Sequence, residues 1–231
     1  MATPLDLQEQ EQLDELKHFW ARWGSLITSV LLVAALAFAG WNGWQYWQRS
    51  KAAQAAALYD TLERNVEAGD PALIERTFGE MKERFGDTAY GQQAGLIAAK
   101  AMRDKGNADG SRAALTWVAD QAVDPGYQAV ARLRLAAELL DTKAYDDALK
   151  QLSGSFPKEF EPLVADRKGD IYMAQGKRDE ARAEYQKAWT AFEPRTDYRR
   201  LVEIKLNAVG VDPQTLKPAA AIVPPATSKQ P

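Results

Sequence analysis

The chain has 231 residues, 29 Lys and Arg against 32 Asp and Glu for a net charge of -3, and no cysteine. That balance leaves no basic footprint for nucleic acid, and the absent thiols exclude disulfides, thiol catalysis, thiolate metal sites and lipid attachment through cysteine. Apolar residues make up 46% and charged ones 26%, which suits a buried core inside a soluble surface over most of the length.

Residues 1–22 are acidic, with Asp6, Glu9, Glu11, Asp14 and Glu15 against Lys17 and Arg22. Leu13, Leu16, Trp20 and Trp23 recur at three- and four-residue steps, which predicts an amphipathic lead-in helix lying on a membrane before the chain turns inward. No charged residue then stands between Arg22 and Arg49. About 20 helical residues cross a hydrocarbon core of roughly 30 Å, so a transmembrane helix is expected over 23–48. Of the seven tryptophans, Trp20, Trp23, Trp41, Trp44 and Trp47 flank this one segment, as membrane-interface residues do. Thr28 and Ser29 interrupt its apolar part and can bond back to the preceding turn.

A cleaved signal peptide is the competing reading, because Ala37-Phe38-Ala39 fits the small-x-small cleavage rule. The long acidic leader and the aromatic exit favour a retained anchor. Lys17 and Arg22 on one side balance Arg49 and Lys51 on the other, so charge alone leaves the orientation open. Ala35, Ala39 and Gly43 line one face, where small residues permit close approach of another helix.

From Ala52 onward the pattern is helical throughout. Breaks fall at Gly69-Asp70-Pro71, Gly86-Asp87, Gly106-Asn107, Asp124-Pro125-Gly126, Thr142-Lys143, Ser153 to Pro157, Gly176 and Glu193-Pro194. A period near 34 residues emerges from small-then-large pairs at helix-start segments: Ala113 and Trp117, Ala148 and Leu152, Ala181 and Tyr185. Ala101, Ala136 and Gly169 each precede the matching alanine by 12 positions. Stacked helix pairs of this kind bury a continuous core that no pair buries alone. The expected fold is all-α, a single N-terminal transmembrane helix followed by an α-solenoid over 52–210. Its pairs lie at 52–86, 94–125, 129–160 and 162–194, with a final helix over 195–208. There Leu201, Ile204 and Leu206 are expected inward and Arg199, Arg200 and Lys205 outward. The Pro- and Ala-rich stretch 211–231 reads as a disordered tail.

The unit carrying Gly169, Tyr172, Ala181, Tyr185 and Ala188 resembles a degenerate tetratricopeptide repeat. The wider layout, with the span ending in "GWQYWQ", the segment "VADRKGDIYMAQGKRDEARAEYQKAW" and the late "EIKLN", resembles the YfgM-like ancillary subunits of the bacterial Sec translocon. That resemblance implies a bacterial inner-membrane protein with its N-terminus in the cytoplasm and its repeats in the periplasm. It also implies three kinds of protein partner, namely the translocon, a membrane-anchored periplasmic chaperone and secretory clients.

No enzyme motif appears, and no cofactor is expected. His18 is the lone histidine, beside Phe19 and Trp20, and reads as an interfacial side chain. The acid pairs Asp146-Asp147 and Asp179-Glu180 sit at helix starts, where the dipole favours them. Binding would use the first helix of a pair: Met102 and Lys105 in the pair at 94–125, Val130, Leu133, Ala137 and Leu140 in that at 129–160, and Leu163, Asp166, Asp170 and Met173 in that at 162–194. Asp166 and Asp170 would make that groove negative, and its aliphatic and Met surface suits varied, weakly held segments. The chain therefore reads as a membrane-tethered adapter or chaperone accessory. The alternative is a tethered scaffold that holds one specific folded partner.

Overall fold

Short polar residues start several of the helices, and glycines end several of them. Asp70 accepts hydrogen bonds from the Ala72 and Leu73 amides, at 3.0 and 3.2 Å, with Pro71 at the first helical position. Thr88, Asn107 and Asp124 accept from the amides of Gly91, Gly110 and Gly126 in the same manner. Gly69, Gly106 and Gly176 adopt φ of 70°, 81° and 77°, the left-handed conformation that closes a helix without Cβ strain. The computed structural model describes residues 7–216, with side chains from Leu13 onward. The described residues form nine α-helices and no strand: α1 (Leu7–Ala68), α2 (Pro71–Phe85), α3 (Ala89–Asp104), α4 (Ala108–Gln121), α5 (Pro125–Asp141), α6 (Tyr145–Gln151), α7 (Glu161–Ala174), α8 (Arg178–Ala191) and α9 (Arg199–Ala208).

The chain divides into two units, Met1–Gln54 and Ala55–Pro231. In the first unit the expected lead-in helix is not a separate element. Residues 7–54 all lie within α1, with no turn near Arg22. Nothing in that stretch breaks a helix: it has no proline, and Gly24 is covered by the Trp20 indole, whose nearest atom lies 3.1 Å from where a Cβ would be. The hydroxyls of Thr28 and Ser29 donate to the carbonyls of Gly24 and Ser25, at 2.8 and 2.7 Å, so the two polar residues are satisfied inside the helix.

In the second unit, consecutive helices pack pairwise. Ala55, Tyr59 and Leu62 of α1 join Ile74, Phe78 and Met81 of α2 and the facing residues of α3 and α4 in the first core cluster. Ala136, Ala148, Leu152, Val164 and Ile171 continue it through α5, α6 and α7. Ala165, Ala181, Tyr185, Ala188, Val202, Leu206 and Val209 close it at α9. The helix expected to begin near Ala52 is thus the end of α1.

Two further expectations are corrected. The small residue buried in α4 is Ala114, 2% exposed, and not Ala113, which is exposed; its partner four residues on is Val118, while Trp117 is half-buried. The inner side of α3 correspondingly carries Met102, 2% exposed. With that shift, Met102, Ala136, Gly169 and Val202 occupy one register of α3, α5, α7 and α9, and all are buried. The inward side of α9 is therefore Val202 and Leu206, while Leu201 and Ile204 are exposed at 42% and 65%.

The tail also begins later than expected. Val211 and Leu216 pack on the last cluster, and Pro213–Thr215 forms a short 3-10 turn started by Asp212. The acidic stretch before Leu7 and the tail beyond Leu216 lie outside the described residues.

Gly169 is the tightest approach within the last pair, since a Cβ there would meet the Tyr185 ring at 2.4 Å. Gly169→Ala should lower stability by about 1–3 kcal/mol through overpacking. Gly79→Ala, in α2 with no atom within 4 Å of the new Cβ, should instead raise it by about 0.5–1 kcal/mol. Thermal unfolding followed by circular dichroism on both variants checks the contrast.

Candidate functional site

The first unit offers an apolar rod. α1 meets the length and composition needed to cross a membrane. From Leu26 to Trp47 its large apolar side chains are exposed, with Val33 at 66% and Phe38 at 71%. Among the described residues of this unit no protein surface covers them, and hydrocarbon would suit them as solvent. At 1.5 Å per residue, the 21 steps from Trp23 to Trp44 span about 32 Å, close to the hydrocarbon thickness. Trp20 and Trp47 lie just outside that interval. Trp41 and Trp44 stack with centroids 5.5 Å apart, and the Lys51 ammonium lies 5.1 Å from the Trp47 ring. These are the contacts of an interfacial girdle, with aromatic bodies on the apolar side and a cation at the wet edge. Ala35, Ala39 and Gly43 are exposed on one face of the rod, and nothing within 4 Å would meet a Cβ at Gly43.

The second unit redistributes the expected groove residues. Val130 packs on the first core cluster, Leu133 and Leu140 on the middle one and Met173 on the last, so each is half spent on the core. Leu163 is likewise half-buried, Met102 is fully inside, and Lys105 caps α3. Ala137 opens onto a shallow pocket of about 300 Å³, shared with Ala99, Lys100, Arg103, Leu115, Arg134 and Glu138. Glu138, 7% exposed, accepts from the Ser111 hydroxyl at 2.6 Å and pairs with Arg103 at 3.4 Å. Asp141 also bonds Arg103, and these acids raise the guanidinium's pKa further. Arg134 donates to the Leu96 carbonyl at 3.2 Å.

Asp166 and Asp170 do not make the groove negative. Asp166 is 1% exposed and takes both oxygens to the Lys205 ammonium, each at 2.8 Å, and one to the Tyr198 hydroxyl at 2.8 Å. Asp170 accepts from the Tyr185 hydroxyl at 2.9 Å and pairs with Lys205 at 2.7 Å and Arg167 at 3.5 Å. Two carboxylates and two cations neutralise one another, and the network ties α9 to α7. Arg199, expected outward, stacks at 3.8 Å on the Trp189 ring. The outward expectation for Lys205 follows from placing Leu201 and Ile204 on the inner face of α9, which is formed instead by Val202 and Leu206.

An exposed apolar helix long enough to cross a membrane, joined in sequence to stacked helix pairs with neutralised acids and a shallow open pocket, fits a membrane-anchored helical-repeat protein. The tetratricopeptide repeat-like domain family matches over residues 17–211. The chain is 31% identical over 204 residues to the ancillary SecYEG translocon subunit of Neisseria gonorrhoeae, covering 88% of this chain and 98% of that protein. The proteins of that name from Haemophilus influenzae and Escherichia coli are 28% and 26% identical, over 79% of this chain and 89% and 86% of their own lengths. No solved structure matches. The chain belongs to the family of ancillary SecYEG translocon subunits, which carry a tetratricopeptide repeat-like domain.

Removing Lys205 leaves the buried Asp166 carboxylate without a cation in the α7–α9 joint, while Asp170 keeps only Arg167. Lys205→Ala should therefore cost about 3 kcal/mol or more. Urea unfolding measures the loss, and amide exchange should show α9 opening before α7 and α8.

A second expectation concerns alkaline pH. Burial first, and the Asp170 or Asp166 carboxylate second, push the phenols of Tyr185 and Tyr198 well above the usual tyrosine value. Burial and Glu63 push Tyr59 to about 12. Above pH 10 the unfolded chain has released these protons while the folded chain keeps them, so stability falls as pH rises beyond 10. Tyr185→Phe with Tyr198→Phe should flatten that decline in urea titrations run from pH 8 to 11.5.

Proposed function

We propose that this protein is a non-enzymatic, single-span accessory of the bacterial Sec translocon, anchored in the inner membrane by residues 23–48. The observation that carries the reading is the 31% identity to the gonococcal ancillary SecYEG translocon subunit along nearly its whole length. The exposed apolar rod with its two tryptophan girdles supports the anchor. The orientation, with the N-terminus in the cytoplasm and the repeats in the periplasm, rests on the likeness to the YfgM-like family.

The repeat domain would bind the translocon, a membrane-anchored periplasmic chaperone and emerging secretory chains through its first-helix face. The anchor supplies the energetic advantage. A tethered site meets a tethered partner at an effective concentration that reaches mM, so contacts too weak to hold free proteins together suffice. A shallow pocket with half-buried aliphatic neighbours fits such transient holding better than a deep cleft would. The exposed Leu201 and Ile204 of α9 favour a second reading, a scaffold with one folded partner seated on that end.

Full-length protein with a C-terminal tag should resist alkaline carbonate extraction, keep its intact mass, and bring SecY with it from digitonin-solubilised membranes. A soluble product starting near Gly40 would remove the anchor. An intact membrane protein that retains no SecY would remove the translocon. Protease treatment of spheroplasts should degrade the repeat domain and spare the first 22 residues, and the opposite pattern would reverse the orientation.

A further inference from the structure

The corrected register exposes a feature that the alanine pattern hides. Two residues before the buried ladder of Met102, Ala136, Gly169 and Val202 stand Lys100, Arg134, Arg167 and Arg200. Each occupies the same position of the first helix in its unit, at steps of 34, 33 and 33 residues. Lys100 and Arg134 line one pocket, whose apolar part is Ala99, Leu115 and Ala137.

Neutralisation along this row is partial. Lys100 pairs at 2.5 Å with Asp104 on the exposed surface of α3, where such a pair contributes little and yields readily to a competing carboxylate. Arg167 shares Asp170 with Lys205. Arg134 is exposed and spends its guanidinium on a backbone carbonyl rather than an acid. Arg200 is exposed on α9, and among the described residues no carboxylate lies within ion-pair distance of it. Asp166 and Asp170, which would have opposed this row, are consumed inside the α7–α9 joint.

We propose that Lys100, Arg134, Arg167 and Arg200 form a basic ladder that takes an extended, acidic segment of a polypeptide partner. The inference rests on the reading of the domain as a polypeptide-binding repeat and names the chemistry of what it binds. Spacing sets the pattern. First helices of neighbouring pairs pack side by side about 10 Å apart, and an extended chain advances roughly 3.3 Å per residue. One acidic side chain in every three residues therefore meets successive rungs. Small apolar residues between the acids fit over Ala99 and Ala137. Nucleic acid is a poorer occupant, because the row carries one cation per helix and no aromatic side chain to stack a base.

The test uses the full-length protein in detergent micelles and fluorescein-labelled 12-residue peptides read by anisotropy. One peptide has Glu at every third position with Ala and Ser between. A second clusters the same four Glu at one end, a third replaces Glu by Gln, and a 12-nucleotide single strand is included. The spaced acidic peptide should bind at least about fivefold more tightly than the clustered one, and its affinity should fall with salt. Arg134→Gln and Arg200→Gln, both exposed positions, should each weaken it about threefold, and together with Lys100→Gln about tenfold or more. Equal binding of the spaced and Gln peptides, unchanged by the triple substitution, would overturn the ladder while leaving a polypeptide groove in place. Binding of the nucleotide strand alone would overturn the choice of partner. Failure of every peptide would remove the groove reading itself.

Discussion

The distance at which two helices of a pair approach each other governs the repeat domain. Where Gly169 faces Tyr185, there is room for a hydrogen and not for a methyl group. Ala136 against Ala148 and Leu152 repeats the arrangement with slightly larger residues. Close approach brings the larger side chains of both helices into one layer and leaves the opposite faces for the next pair. Because each pair covers only one side of its neighbour, no pair is stable alone, and the core becomes a chain of linked clusters running from Tyr59 to Val209. Side chains on the first helices are then carried at a fixed interval, which is why a 34-residue sequence period becomes a spatial row.

The last joint is held differently. Arg103 links α3 to Glu138 and Asp141 of α5 near the surface, but α9 is bound to α7 by an ionic cluster around the fully buried Asp166 as well as by Val202 and Leu206. A buried ion pair is weak evidence of net stabilisation, because desolvation consumes most of its attraction. Its geometric demand is strict, however. Lys205 reaches both carboxylates only in one rotation of α9, and that rotation turns Leu201 and Ile204 outward. The polar network thus fixes which face the end of the solenoid shows to its surroundings. An apolar joint of the same area would allow α9 to roll and hide those two residues.

Much of this was readable from the chain. The helical class, the break points at Gly69, Gly106, Asp124 and Gly176, and the apolar span with its tryptophans follow from local chemistry that tertiary packing does not override. Register was not so readable. In "SRAALTW" two adjacent alanines compete for the buried position, and the large Trp117 four residues after Ala113 favoured the wrong one. Choosing Ala114 moves Met102 from groove to core and brings Arg103 and Lys100 onto the open face. In α9 the adjacent Leu201 and Val202 compete in the same way, and the smaller Val202 is the one buried. The fate of Asp166 and Asp170 was illegible for another reason: their partners Tyr198 and Lys205 lie more than 30 residues away, and no local rule links them.

The two units differ in what they ask of their surroundings. The rod of α1 presents a continuous apolar surface that water does not tolerate, so its affinity is for a phase, and it needs no specific contact to stay there. The repeat domain has a conventional polar exterior, a shallow pocket and single cations at regular steps, which give it many contacts of low individual value. Such a surface discriminates poorly as a free protein, since each exposed ionic contact contributes at most about 1 kcal/mol. In the tethered arrangement proposed above, the same surface would need only enough affinity to exceed its partners' local dilution. Weak regular contacts then become an advantage, because a segment so held is also readily released.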